Sequence, residues 1–338
     1  MRHRLAPVFF ERKRRISVSS KSGIIISGTV QEGNCVKSIL VTGGTVFVSR
    51  QIAEYFLAKG QNVFVLNRNS REQPAGAQLI EADRHHLGEI LRSYHFDAVI
   101  DTAYTGEDVS LLMDALGDFG SYVLISSSAV YPESGTQPFK EEEPVGVNRY
   151  WGRYGTDKIE AERTARQRKP GAYILRPPYL YGPMNDIYRE AFVFECALKN
   201  RAFYLPGDGK MRLQFLYVGD LCRFIDRILE QKPDRHTFNV GNPVTVSVRE
   251  WVELCYEIAG RQARFVNVPK KIAQRDYFCF SEYEYVLDVS WQNRWMADLR
   301  PMRDGLRESL YWYERHADQV ERRPYIEYIE TKNKCQWD

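Results

Sequence analysis

What this chain lacks narrows it first. Its six cysteines, at 35, 196, 222, 255, 279 and 335, are scattered, and no two form a CxxC pair. That usage fits reduced, mostly buried thiols in a cytosolic protein, with no disulfide framework and no structural metal. Histidine offers no ligand spacing either, since His85 and His86 are adjacent and His95 stands apart. No apolar run approaches the roughly twenty residues of a membrane span, so no membrane partner is expected. A net charge of +3 is too small to be the footprint of a nucleic-acid binder, and none is expected as a partner. What is left is an ordinary globular composition, 338 residues at 43% hydrophobic, enough for one large or two medium domains.

Glycine is short at one informative place. Ser38 to Asn69 reads as strand, tight turn, helix and strand. Ile39-Leu40-Val41 is a buried parallel strand running into Thr42-Gly43-Gly44. Val48, Ile52, Ala53, Phe56 and Leu57 then share a helix face, and Gly60 ends the helix before Val63-Phe64-Val65-Leu66. This is the outline of a dinucleotide-binding unit, with a pyrophosphate expected over the helix N-terminus. A TGxxGxxG turn would carry glycines at 43, 46 and 49, yet Val46 and Ser49 occupy the last two. Val46 puts a β-branched side chain where phosphates should come nearest, and Arg50 stands near enough in sequence to supply compensating charge.

Further apolar strands follow at Leu79–Asp83, Phe96–Asp101 and Tyr122–Ile125, with helices expected around Leu87–Leu91 and over Glu107–Leu116. The alternation predicts a doubly wound parallel sheet whose ligands lie beyond the strands' carboxyl ends. The last of these strands runs into Ser126-Ser127-Ser128-Ala129-Val130-Tyr131 at that end. Downstream, Tyr154 and Lys158 are four residues apart on a predicted helix and share a face. A lysine ammonium one turn away lowers a tyrosine's pKa toward the range of a working base, and a serine hydroxyl can orient the substrate oxygen.

With these features the chain resembles the extended short-chain dehydrogenase/reductases, specifically the NAD-dependent epimerase/dehydratase family known from nucleotide-sugar enzymes. The resemblance rests on Thr42-Gly43-Gly44, on Ser126 to Tyr131 and on Tyr154-Gly155-Thr156-Asp157-Lys158. It rests also on Arg176 to Pro183, on Phe215 to Leu221 and on Phe238-Asn239-Val240-Gly241. It implies an α/β fold, a Rossmann-type doubly wound sheet with a smaller C-terminal substrate-binding α/β region. It divides the chain into a coenzyme domain over 37–182, rejoined by 215–245, and a substrate region over 183–214 and 246–320.

The resemblance makes Tyr154, Lys158 and Ser127 the catalytic residues, with Ser128 the alternative hydroxyl. It sets NAD or NADP against Thr42, Gly43, Gly44, Thr45, Val46, Phe47, Val48, Asn67, Arg68, Asp83, Ala103 and Pro177. Ser128, Tyr179, Asn185, Arg212 and Gln214 become candidate contacts to a small-molecule substrate, a nucleotide-sugar. Leu213 stands where relatives place the phosphate-gripping arginine, one residue after Arg212. Asp83 could bind adenine or cap the following helix, and Arg68 could meet the extra phosphate of NADP or lie on the surface. The glycine losses resemble an atypical branch with chloroplast RNA-binding members, which generally lose the Tyr and Lys kept here. Dehydratases carry an Asp-Glu pair directly after the catalytic hydroxyl; Ser128-Ala129 here disfavours elimination and leaves 4-epimerisation or NAD(P)-linked reduction. Relatives often pair through the helix bearing the tyrosine, which implies a homodimer.

The two ends are read separately. Residues 1–36 are basic and precede the first strand, as a disordered tail or a transit-like presequence would. The favoured reading is a start-site artefact, because Gln31-Glu32-Gly33 can encode a ribosome-binding sequence ahead of a GTG at Val36. Residues 321–338 are charged and expected to fray.

Overall fold

Seven parallel strands form the centre, and each reads as the sequence pattern requires. Ser38–Thr42 (β1) is a continuous apolar run buried along nearly its whole length, as a strand covered on both faces must be. Asn62–Asn67 (β2), Gln78–Glu81 (β3), Phe96–Asp101 (β4), Phe119–Ile125 (β5) and Tyr173–Arg176 (β6) follow. A last strand, Thr237–Asn239, returns from far along the chain to pair with β6. From that edge the order is Thr237–Asn239, β6, β5, β4, β1, β2, β3. The order reverses between β1 and β4, so a crevice opens beyond their carboxyl ends. The computed structural model describes residues 36–336; apart from Val36, the tail, presequence and start-site readings lie outside the described residues.

Helices close both faces of the sheet. Phe47–Ala58 (α1) buries Ile52, Ala53 and Phe56 on one face, beside Val218–Gln231. Gly106–Ala115 (α2) and Arg153–Arg168 (α3) cover the other. The helix α2 starts at a full capping box, Thr105 with Asp108. A separate aromatic core, built on Trp251, Phe203, Phe215 and Phe280, packs the chain after Tyr179. Cys196, Cys222, Cys255 and Cys279 are free thiols and buried. Among the described residues no helix is long and apolar enough to cross a membrane, and no cluster of metal-binding side chains occurs.

Two local expectations are corrected. No helix forms around Leu87–Leu91; a short 3-10 turn at Arg84–His86 and further turns connect β3 to β4. Gly88 there takes a left-handed φ of +52°, which breaks a helix, while Leu87 and Leu91 still bury their side chains. The charged end does not fray over its described part, because Tyr325–Gln336 is a helix. Tyr325 and Ile329, four residues apart, enter the aromatic core, and Tyr325 stacks on Tyr188 at 5.8 Å. Two well-placed apolar residues outweigh the surrounding charge.

Candidate active site

The turn after β1 is where the missing glycines can be judged. Gly44 has φ +79°, and a Cβ there would stand 2.4 Å from Val65 Cγ1, so only glycine fits. Val46 needs no such freedom, since its backbone is extended at φ −132°. Ser49 takes the third glycine's place by donating its hydroxyl to the Val46 carbonyl at 3.0 Å. Val46 has no side-chain group to cap α1, so the first N–H groups of the helix keep their capacity for an anion. Phe47, at φ +33°, carries backbone strain of the kind found at ligand-holding turns. Val46, Phe47 and Val48 all line a cleft of ≈ 690 Å³.

The same cleft is lined by Ser127, Tyr154 and Lys158. Gly155 permits this, because a Cβ there would meet the Ala129 carbonyl at 2.6 Å; α3 therefore packs tightly on the turn that carries Ser127. Lys158 is 4% exposed, and its ammonium donates to the carbonyls of Ala103 at 2.7 Å and Ile125 at 2.8 Å. Burial lowers that ammonium to about 8, with Asp101 and Glu162 opposing the fall. It lies 4.9 Å from the ring centroid of Tyr104 and 5.9 Å from that of Tyr154.

Here the sequence expectation needs correcting. Burial pushes the Tyr154 phenol above its ordinary value, and the opposing influences are hydrogen bonding to Ser127 and the Arg189 charge. Lys158 spends two of its donors on backbone carbonyls and stands 5.9 Å from the Tyr154 ring centroid. Because 39% of Tyr154 faces the open cleft, water tempers the upward push.

Beneath these groups lies a buried polar frame. Arg176, from β6, grips Glu162 of α3 at 2.8 and 2.7 Å, and Ser126 donates to the same carboxylate at 2.6 Å. Burial alone would raise the Glu162 carboxyl, but the Arg176 guanidinium overrides it and holds it below its ordinary value. Arg176 also donates to the Tyr131 hydroxyl at 2.8 Å, which in turn donates to Asn239 at 2.7 Å. One network thus ties α3, the end of β5, β6 and the last strand, and fixes where Ser127 and Tyr154 stand.

The other expected residues divide by position. Ser128, Pro177 and Tyr179 line the cleft, and Ser128 donates to the Tyr285 hydroxyl at 3.2 Å. Thr42, Thr45 and Gly43 belong to the turn beneath it, with Thr42 donating to Asp101 at 2.7 Å. Asn67 donates to the Gly43 carbonyl at 2.7 Å and so braces the turn, and Ala103 supplies a carbonyl to Lys158. Arg68 is exposed after β2. Asp83 accepts from the His85 N–H at 2.9 Å and so caps the 3-10 turn, in place of the helix expected after it.

Three expected substrate contacts lie off the cleft wall. Asn185 is buried and donates to Glu190 at 3.0 Å. Gln214 is buried between the Asn242 and Leu287 carbonyls. Arg212 bonds Thr245, with Nε on Oγ1 at 3.0 Å. Their polar groups are committed to holding loops together. The sequence reading missed Tyr104, Trp151, Arg189 and Tyr285, which do line the cleft. No spacing rule marks them, since each reaches the cleft from a different segment.

Comparison with known proteins fits this geometry. The model of the NAD-dependent epimerase/dehydratase family matches residues 39–241. The chain is 26% identical over 247 residues to the chloroplast stem-loop binding protein of 41 kDa b of Arabidopsis thaliana, covering 66% of this chain and 64% of that relative's length. It is 24% identical over 332 residues to a dTDP-4-dehydro-6-deoxy-D-allose reductase of a Streptomyces species, covering 83% of this chain and 97% of the reductase. The crystal structure of UDP-glucose 4-epimerase from Thermotoga maritima, with UDP-glucose, superposes with a TM-score of 0.68 at 20% identity, over 82% of this chain and 99% of the other.

Proposed function

Because the chain belongs to the NAD-dependent epimerase/dehydratase family, we propose that it is an NAD(P)-dependent oxidoreductase acting at a carbinol carbon of a nucleotide-sugar, with 4-epimerisation the favoured outcome. The observation that carries this reading is the convergence of Ser127, Tyr154 and Lys158 on the cleft that also takes in the uncapped N-terminus of α1. The bound nicotinamide would supply the hydride acceptor and donor. Thr42 to Val48 would hold its diphosphate, and the third ammonium proton of Lys158 is left for a ribose hydroxyl.

In its ionised form Tyr154 takes the hydroxyl proton as the carbon is oxidised, and Ser127 hydrogen bonds the same oxygen. Lys158 keeps a positive charge beneath the phenol at neutral pH, since its ammonium titrates at about 8. Returning the proton from Tyr154 after the ketone has turned completes an epimerisation. Dehydration would need an acid–base pair after Ser127, and Ser128 and Ala129 stand there instead. Net reduction is the second reading, favoured by the likeness to a reductase across 97% of that relative's length.

The test is turnover of UDP- and dTDP-sugars by the full-length protein, wild type against Tyr154→Phe. Loss of the phenolic hydroxyl should lower kcat by roughly 10²–10⁴-fold while leaving coenzyme affinity within a few-fold. Unchanged turnover in that variant, or no binding of NAD or NADP by calorimetry, sinks the reading.

A further inference from the structure

The substrate end of the cleft holds a guanidinium that the mechanism above does not employ. Arg189 lines the ≈ 690 Å³ cleft and also a smaller adjoining cavity of ≈ 100 Å³. Its guanidinium carbon lies 5.2 Å from the ring centroid of Tyr179 and 5.9 Å from that of Phe280. The two aromatic faces hold the fork in place without consuming its donors. Among the described residues Arg189 makes no ion pair and no side-chain hydrogen bond. A half-buried guanidinium with no protein partner keeps its donors for water or a ligand. Asp186 and Glu321 line the same cleft, yet neither is paired with it.

Two further observations point to a negatively charged ligand. In the smaller cavity Arg275 and Arg323 stand with Arg189 against a single acid, Glu321, so the local field is positive. Tyr179, which is 6% exposed, belongs to the cleft wall, and its hydroxyl has no hydrogen-bond partner. A buried hydroxyl left unpaired is costly unless a ligand completes it.

The position relative to the chemistry narrows the choice of anion. Tyr179 and Tyr285 have ring centroids 5.6 Å apart, and the Tyr285 hydroxyl is 3.2 Å from Ser128 Oγ. Arg189, Tyr179, Tyr285 and Ser128 therefore follow one another along the wall of the same cleft. The Arg189 charge also acts on the Tyr154 phenol.

We propose that Arg189 is the receptor for an anionic substituent, a carboxylate or a phosphate, carried on the substrate's own ring beside the reacting carbinol, with the Tyr179 hydroxyl as a second donor. This rests on the oxidoreductase reading of the cleft and names the substrate class within it: sugars bearing an acid group apart from the nucleotide diphosphate.

The experiment is calorimetric titration of the full-length protein with two matched pairs. UDP-glucuronate against UDP-glucose tests a ring carboxylate, and glucose 6-phosphate against glucose tests a ring phosphate. In at least one pair the anionic member should bind roughly tenfold to a hundredfold tighter, the range of a charged hydrogen bond. Arg189→Met should abolish that preference while leaving the neutral member and NAD within about twofold. Tyr179→Phe, which removes only the unpaired hydroxyl, should reduce it by several-fold.

Equal affinities in both pairs overturn the proposal, as does a preference that survives Arg189→Met. A uniform loss of UDP-glucose and UDP-glucuronate in Arg189→Met also overturns it, because Arg189 would then grip the diphosphate. The titrations are run with and without coenzyme. If neither NAD nor NADP binds, the oxidoreductase reading fails separately, and the anion preference is still decided by Arg189→Met.

Discussion

The two ends of the cleft are built by different rules. At the coenzyme end, the groups that matter are close in sequence: Thr42 to Ser49 form one turn, and Tyr154 and Lys158 are one helical turn apart. At the substrate end, Trp151, Tyr179, Arg189 and Tyr285 meet from segments separated by up to 134 residues along the chain, the difference between 151 and 285. The first end is positioned by local backbone geometry, and the second by packing of an aromatic core. Changes at the first should therefore register as altered chemistry and backbone strain, and changes at the second as altered selectivity. The buried frame of Arg176 and Glu162 is common to both ends and sets the upper limit of what a single substitution can do.

The largest effect expected is at that frame. Arg176→Met leaves the Glu162 carboxylate buried with only Arg166 at 2.9 Å to balance its charge and the Ser126 hydroxyl at 2.6 Å to hydrogen bond it. Breaking one partner of a buried pair costs about 3–5 kcal/mol, so denaturant unfolding should show a loss of that order. Both coenzyme and substrate binding should weaken together. A loss below about 1 kcal/mol would mean that the frame does not join the two ends.

Lys158 gives a smaller effect with a defined pH signature. Folding lowers its ammonium from 10.5 to about 8, so between those values the unfolded chain holds a proton that the folded chain has released. Stability then rises with pH through that window relative to a chain lacking the lysine; below about 8 both states are charged and the penalty is constant. The full shift corresponds to roughly 3 kcal/mol. Unfolding of wild type and Lys158→Met at pH 7.5 and pH 10 should show the difference between them changing by up to that amount. A pH-independent difference would contradict the burial of a charged ammonium.

The same contrast decides how much of the molecule is legible in its sequence. The sheet, α1, the serine turn and the Tyr154–Lys158 pair follow from periodicity and from residues within one turn of each other, which a linear chain displays directly. The Ser49 replacement is legible only in part: sequence shows a lost glycine, while the hydroxyl bond to Val46 depends on the angle at which α1 leaves the turn. The carbonyl clamp on Lys158 is hidden because Ala103 and Ile125 act through backbone oxygens, which carry no side-chain signature. Arg189 is hidden for a different reason. Its significance lies in having no partner, and a sequence cannot show an unpaired charge.

Arg212 provides the smallest expected effect and the sharpest check on the substrate end. By resemblance it is the arginine nearest the family's phosphate-gripping position, and by chemistry an exchange for alanine there should cripple substrate binding. The structure turns its guanidinium to Thr245, with Nε on Oγ1 at 3.0 Å and NH2 on Oγ1 at 2.8 Å, and 3.5 Å from Glu250. These bonds join Arg212–Leu213 to the antiparallel Val246–Ser247 pair, away from the cleft wall. The side chain is partly exposed and its ion pair screened, so Arg212→Ala should cost no more than about 1 kcal/mol of stability. Substrate KM should move less than about twofold, against the tenfold or greater loss of anion preference expected for Arg189→Met. If Arg212→Ala instead raised KM by an order of magnitude with stability intact, the substrate would have to reach the Thr245 loop, and the recognition assigned to Arg189 would belong to a different wall.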